Sequence, residues 1–297
     1  MKRYIYILLL LLIAALAVSC AASPGVAAPN YGDEDYLTSP DGGAMNDAPS
    51  ASPNEIFEFE WNDKYQGYFV YEKDGNPYSY VVIPETYNNK PVVGIGKLAF
   101  DSYSKVQKIL ISNNISVIET QAFNYCNYLE VVEFKDNSQL ETVKEHAFYN
   151  CKSLVSIYIP SNVKMIGSRA FSTCPELKEI KVDDNNEYYS NIGSAIYSKD
   201  EKLLLLVAPA TEEKEFTVPE GVIAIGDGAF RDCIYIESIS IPSTLKSLGS
   251  NVIGASVKEI NYSGSVEEWK AIRKETKWDE KSLEYVVNCT DGTVTKK

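Results

Sequence analysis

Histidine is almost missing. The 297 residues include one, His146, and no nucleophile motif accompanies it, so a Ser/His/Asp triad has nothing to be built from. No two cysteines stand as a C-x2-C pair, the tight spacing that zinc sites favour. Basic runs are absent and the net charge is −13, so nothing on the chain would neutralise nucleic-acid phosphates. The apolar run Ile5 to Val18 has 14 residues, short of the about 20 that a bilayer-spanning helix needs. With 41 acidic residues, chance carboxylate pairs are certain and do not point to a glycosidase. Neither a catalytic centre, nor a metal, nor a cofactor is expected.

The N-terminus carries an address. Lys2 and Arg3 precede the apolar run, which ends at Leu16-Ala17-Val18-Ser19-Cys20. This resembles the bacterial lipoprotein signal, in which small residues precede a cysteine that is acylated and becomes the new N-terminus. The resemblance implies a signal peptide over 1–19, lipidation of Cys20 and an extracytoplasmic, membrane-anchored protein on the cell surface. Without residues 1–19 the chain has 26 basic and 41 acidic residues, a net charge of −15. Residues 20–53 read as a flexible tether. From Ala21 to Pro53 there are five Pro, four Gly, five acidic residues and no Lys or Arg.

From residue 54 the chain has material to bury. Glu55 to Trp61 alternates apolar and acidic residues, and Gly67 to Tyr71 and Tyr80 to Ile83 are apolar runs around the turn Asp74-Gly75-Asn76-Pro77. These three predicted strands, 54–83, form an N-terminal cap.

Residues 84–263 are a repeat array. Ala-Phe-x-x-Cys occurs at Ala122–Cys126, Ala147–Cys151, Ala170–Cys174 and Ala229–Cys233, with Ala99–Tyr103 as a copy ending in Tyr. The phenylalanines Phe100, Phe123, Phe148, Phe171 and Phe230 are separated by 23, 25, 23 and 59 residues. Each is followed by an x-Ile-x-Ile pattern of period two, a short strand closed by Pro160 or Pro242 in two copies. The Val-x-x-Ile-Gly pieces, such as Val163–Gly167 and Val222–Gly226, are a second extended segment on the return side. The i, i+3 spacing of the box predicts one helical turn with Phe and Cys on the same face. One coil cannot bury that face alone, so coils stack and build continuous Phe, Leu and Ile ladders. The long interval exceeds the usual period by 36 residues. That insertion, about 184–217, predicts a hairpin of Ser194–Tyr197 and Leu203–Val207. Its Asp/Asn run, Asp183 to Asn186, fits turns better than a calcium loop. A worn sixth copy puts Ile253 at the Phe position.

Ile-Gly-x-x-Ala-Phe-x-x-Cys-x-x-Leu-x-x-Ile-x-Ile-Pro is similar to the BspA-type leucine-rich repeat of bacterial surface proteins. The resemblance implies an α/β repeat solenoid: a right-handed leucine-rich repeat superhelix, strand-rich with short helical turns. It also implies a role in adhesion or recognition outside the cell, with no shared catalytic residues. Residues 264–297 are then a C-terminal cap. Ser265 and Glu268 spell a capping box, Val266, Trp269 and Ile272 share a helix face, and Leu283–Val287 is a last strand ended by Asp291-Gly292.

Four of six cysteines, Cys126, Cys151, Cys174 and Cys233, fall at one repeat position and form a ladder. Buried packing is the expected role, although neighbouring rungs also permit a disulfide from Cys151 to Cys126 or Cys174. His146 aligns with Gln121, Arg169 and Gly228, a position expected to be exposed. Residues between the buried strand positions face outward. One row is Lys108, Val131, Ser156, Glu179, Ser238 and Glu259; the other is Leu110, Glu133, Tyr158, Lys181, Ser240 and Asn261. The expected ligand-binding set is Leu110, Val131, Glu133, Tyr158 and Lys181, with Leu110, Val131 and Tyr158 as an apolar patch. The function read from this pattern is non-catalytic binding of an extracellular protein or glycan. The alternatives are a structural envelope component and an enzyme or enzyme inhibitor using the inserted hairpin.

Overall fold

The computed structural model describes residues 53–296. The expected signal peptide, Cys20 and the tether up to residue 52 lie outside the described residues. The described chain winds as stacked coils, giving one strand per coil to a front sheet and another, two residues long in the regular coils, to a return sheet. Front strands are Tyr80–Val82, Lys108–Ile111, Val131–Phe134, Ser156–Ile159, Glu179–Val182, Glu215–Thr217, Ser238–Ile241, Glu259–Tyr262 and Tyr285–Cys289. Every coil runs in the same direction, so the front strands that pair do so in parallel. Period-two alternation sets their faces: Ile109 and Ile111 are buried while Lys108 and Leu110 are half-exposed.

The box departs from the expected helical turn, and with it the α/β description gives way to a strand-rich β-solenoid. Gln121, just before the second box, and Tyr125, within it, have φ 60° and 58°, and His146 and Asn150 stand at the same places of the third at 57° and 60°. A right-handed helix does not contain such residues. The reason lies in the hydrogen bonds. Ala122, Asn124 and Cys126 N–H groups donate locally, three residues back, while Gln121, Phe123 and Tyr125 donate forward to the next coil. The box is a run of tight turns that is half local and half intercoil. Among the described residues the α-helix is α1, Val266–Ala271. Its capping box is formed, with the Ser265 Oγ accepting from the Glu268 N–H and the Glu268 carboxylate accepting from the Ser265 N–H.

The box still performs the packing expected of it. Phe100, Phe123, Phe148 and Phe171 are buried and stack at centroid distances of 5.1, 5.0 and 5.4 Å. The four box cysteines are buried free thiols, and each donates to a backbone carbonyl of the preceding turn of the stack. The permitted disulfides are therefore not formed. In the first box Tyr103 replaces Cys and reaches the carbonyls of Tyr78 and Asn76 at 2.7 and 3.1 Å. The Gly of Ile-Gly also has a packing cause: a Cβ on Gly167 would stand 2.4 Å from the Glu145 nitrogen.

Two interruptions divide the stack. The front ladder breaks between Val131–Phe134 and Ser156–Ile159, which occupy separate sheets. This is the 25-residue interval, whose extra length turns through Asn137 at φ 59°. The second interruption is the long unit. Its insertion is a three-stranded antiparallel meander, Tyr189–Ile192, Ala195–Ser198 and Leu203–Val207, rather than the expected two-stranded hairpin. Leu203–Val207 then joins the return ladder by pairing in parallel with Ala224–Ile225. The first return sheet, headed by the hairpin Phe57–Asn62 and Gly67–Glu72, ends at Met165–Ile166. There the Tyr189 hydroxyl accepts from the Ile166 N–H at 3.0 Å, standing in for a strand.

The interior follows the same division. One apolar core runs from Phe57 to Val182 and a second from Phe216 to Val287. Strand Ala195–Ser198 lies between them, with Ile196 in the first core and Ala195 and Tyr197 in the second. At the C-terminal end Trp269 packs on Tyr262 and Trp278 at 5.4 and 6.0 Å. The last strand is a hairpin, Tyr285–Cys289 with Gly292–Lys296, where one strand was expected.

Candidate functional site

The outer face of the front sheet is where the fold leaves side chains free. The expected rows pair in register: Lys108 with Val131, Ser156 with Glu179, Leu110 with Glu133 and Tyr158 with Lys181. Ser238 with Glu259 and Ser240 with Asn261 continue the rows in the second half.

The N-terminal part of this face is not the continuous apolar patch that was expected. Leu110 is half-buried between Val82 and Glu133. An ion pair from Lys108 to Glu133, 2.8 Å long, crosses between Leu110 and Val131. The Lys108 ammonium also lies 5.0 Å above the Tyr80 ring. Tyr158 stands beyond the break in the ladder. Its hydroxyl donates to the Asp183 carboxylate, and that bond together with the Asn185 N–H holds Asp183 below the usual carboxylate range. The five residues thus make a face of alternating charge and apolar surface in two segments.

The C-terminal part has a different character. Thr217, Ser240, Asn261 and Asn288 form one unbroken outward row across four paired strands. Asn288 Nδ2 donates to Asn261 Oδ1 at 2.9 Å, and Asn261 Nδ2 donates to Ser238 Oγ at 3.2 Å. Beside the row runs an open groove of about 470 Å³, lined by the strand ends Val218-Pro219, Ile241-Pro242, Tyr262-Ser263 and Cys289-Thr290. Sequence reasoning missed Thr217 and Asn288 because their coils lack the Ala-Phe box. The signal was present at Thr217, since Phe216-Thr217-Val218-Pro219 repeats the strand-then-proline pattern.

The other candidates serve the scaffold. His146 is half-buried, not exposed, with its ring edge-on to Tyr149 at 5.2 Å. Burial pushes its imidazole below the ordinary value, which Glu145 at 3.5 Å only partly counters. The Asp/Asn run makes turns. Asp183 Oδ1 accepts from the Asn185 N–H at 2.8 Å, and Asn186 Nδ2 is spent on the carbonyls of Pro160 and Val163. Among the described residues no three His, Cys, Asp or Glu side chains converge as a ligand set.

A family model, BspA type Leucine rich repeat region, matches the chain in 6 copies over residues 93–211 and 208–271. No curated protein matches it. Among solved structures, a leucine-rich repeat protein from Eubacterium ventriosum is similar at a TM-score of 0.50 and 18% identity, covering 70% of each chain. The leucine-rich repeat protein of T. pallidum has 23% identity and a TM-score of 0.46, covering 71% of this chain and 81% of its own. A leucine rich cell surface protein from Faecalibacterium prausnitzii has 18% identity and a TM-score of 0.40, covering 76% and 98%.

Proposed function

The chain belongs to the family of BspA-type leucine-rich repeat proteins, and on that premise we propose that it is a non-catalytic scaffold that binds an extracellular protein or glycan through its front face. The observation that carries this reading is the row Thr217, Ser240, Asn261 and Asn288, where paired strands hold hydroxyls and amides outward in fixed register beside a groove. Such groups match the donors and acceptors of sugar hydroxyls or peptide amides, and a rigid array lowers the ordering cost of binding. The segment with Leu110, Val131, Glu133, Tyr158 and Lys181 extends the same face with charge and an aromatic ring.

Location follows from the N-terminal residues. Acylation of Cys20 would hold the protein at the outer side of a membrane, because each buried CH₂ contributes roughly 0.8 kcal/mol and two or more acyl chains anchor stably. Residues 21–53 would then act as a spacer between membrane and stack. We take the winding to be right-handed, as the family resemblance implies, and residues 54–83 and 264–297 to close the two ends of the array.

The test is a binding screen of the protein against matrix proteins and a glycan array. A hit should be weakened by Ser240→Lys with Asn261→Lys, or by Leu110→Asp with Tyr158→Ala. A ligand that tolerates both double variants does not use the front face. A screen without hits favours the structural envelope role.

A further inference from the structure

The groove beside the second half of the front face keeps a fixed step. It crosses four coils whose strands pair in register, Thr217 with Ser240, Ser240 with Asn261 and Asn261 with Asn288. Neighbouring paired strands lie about 4.8 Å apart, so the lining repeats at that interval along the stack. One side is this outward row, and the other is the turn residues Pro219, Pro242, Ser263 and Thr290. Among the described residues that line the groove, Glu220 at one end is the only charged one. That neutrality stands out on a chain whose net charge is −13.

The side chains along the groove are held in place but not spent. The Thr217 and Ser240 hydroxyls have no partner among the described residues. Asn261 uses one Nδ2 hydrogen on Ser238 and one Oδ1 lone pair on Asn288, which leaves one donor and one acceptor. The backbone, by contrast, is closed. The Val218 and Ser263 N–H groups donate to the carbonyls of Ser240 and Ile241 at 2.9 and 3.0 Å, and the Thr290 N–H donates to Gly264 at 2.9 Å. The fitting occupant is therefore uncharged, bonds to side chains rather than to a strand edge, and repeats at the strand spacing. An extended peptide laid along the groove repeats its faces every two residues, about 6.7 Å, and falls out of step with the coils. A chain of equatorially linked hexoses advances by close to one strand spacing per sugar.

We propose that the groove binds an uncharged, extended β-1,4-linked glycan lying along the stack, with one sugar to each of the four coils. The inference rests on the reading of the front face as the binding surface and narrows its ligand to this class. Successive sugars of such a chain turn over, so a coil meets either the ring hydroxyls or the hydroxymethyl edge. Thr217, Ser240 and Asn261 suit both, because each can donate and accept. Their fixed spacing lowers the ordering cost of binding.

The probe is a series of cello-oligosaccharides of two to six glucose units, titrated calorimetrically into the whole protein. Affinity should rise about tenfold or more from the disaccharide to the tetrasaccharide and by less than about threefold from four units to six, because four coils line the groove. Thr217→Val with Ser240→Ala should weaken the tetrasaccharide about tenfold, or 1.4 kcal/mol, without moving the melting temperature. Absence of saturation up to millimolar tetrasaccharide and hexasaccharide overturns the proposal. So does an affinity that is the same for two units and four, and so does an undiminished affinity of the double variant, which puts the sugar elsewhere. If these sugars fail while another ligand is still lost on Ser240→Lys with Asn261→Lys, the glycan inference falls and the front face stands as the binding surface.

Discussion

The Cys151 thiol donates to the backbone carbonyl of Phe123, one coil earlier, at 3.2 Å. Cys126 does the same to Phe100 at 3.0 Å and Cys174 to Phe148 at 3.2 Å. The Phe123 carbonyl already accepts the Cys126 N–H, so the thiol fills its second lone pair. The repeat keeps cysteine here because the site wants a small apolar body with a weak donor.

These thiols should be inert. Burial pushes Cys126, Cys151 and Cys233 well above the ordinary thiol range, so little thiolate exists at neutral pH. A thiol-reactive dye should label the half-buried Cys289 in the native protein and reach the four box cysteines only on unfolding. Cys151→Ala should cost about 1–2 kcal/mol in urea titration, combining a lost bond and a small void.

Phe148 is stacked between Phe123 and Phe171. Phe148→Ala should cost about 3–5 kcal/mol of stability. Ligand binding on the front face should survive in whatever fraction stays folded. A change in affinity at full folding, measured by titrating the folded protein, would mean that the box contributes to recognition directly.

Asp183 sets an acid-side dependence. Its carboxylate is favoured in the folded chain first by the Tyr158 hydroxyl and then by the Asn185 N–H. The folded value lies below the ordinary 3.8, so this contribution is present above that pH and fades as pH falls through the folded value. Tyr158→Phe should flatten part of the decline in melting temperature below pH 3.8 and leave the neutral range less affected. An acid limb identical to wild type would show that the bond has no linkage to folding.

The regular part of this fold was legible because period two assigns each strand residue to a face. Lys108, Glu133, Ser240 and Asn261 could be placed outward without coordinates, and Ser265 with Glu268 announced the helix cap. The box was harder. An i, i+3 pair fits a helix and a run of turns equally well, and only the left-handed Gln121 and Tyr125 separate the two. Spacing revealed the two extra residues before Phe148 and the long insertion before Phe230, but not what each does to pairing. Loss of front-strand bonds at Phe134 depends on neighbours in space, which a repeat count does not contain.

Strand Ala195–Ser198, with one face in each apolar core, also governs how unfolding spreads. In a solenoid each coil is stabilised through its neighbours, and here the two halves meet across this strand and Leu203–Val207, whose Leu204 and Val207 belong to the second core while Leu205 and Leu206 pack on the first. Damage in the Phe100–Phe171 half reaches the other through these two strands and through the Ser168–Asp227, Arg169–Ser250 and Thr173–Asp232 hydrogen bonds. The cooperative unit is then the half-stack, and a lesion on one side can leave the other folded and competent to bind.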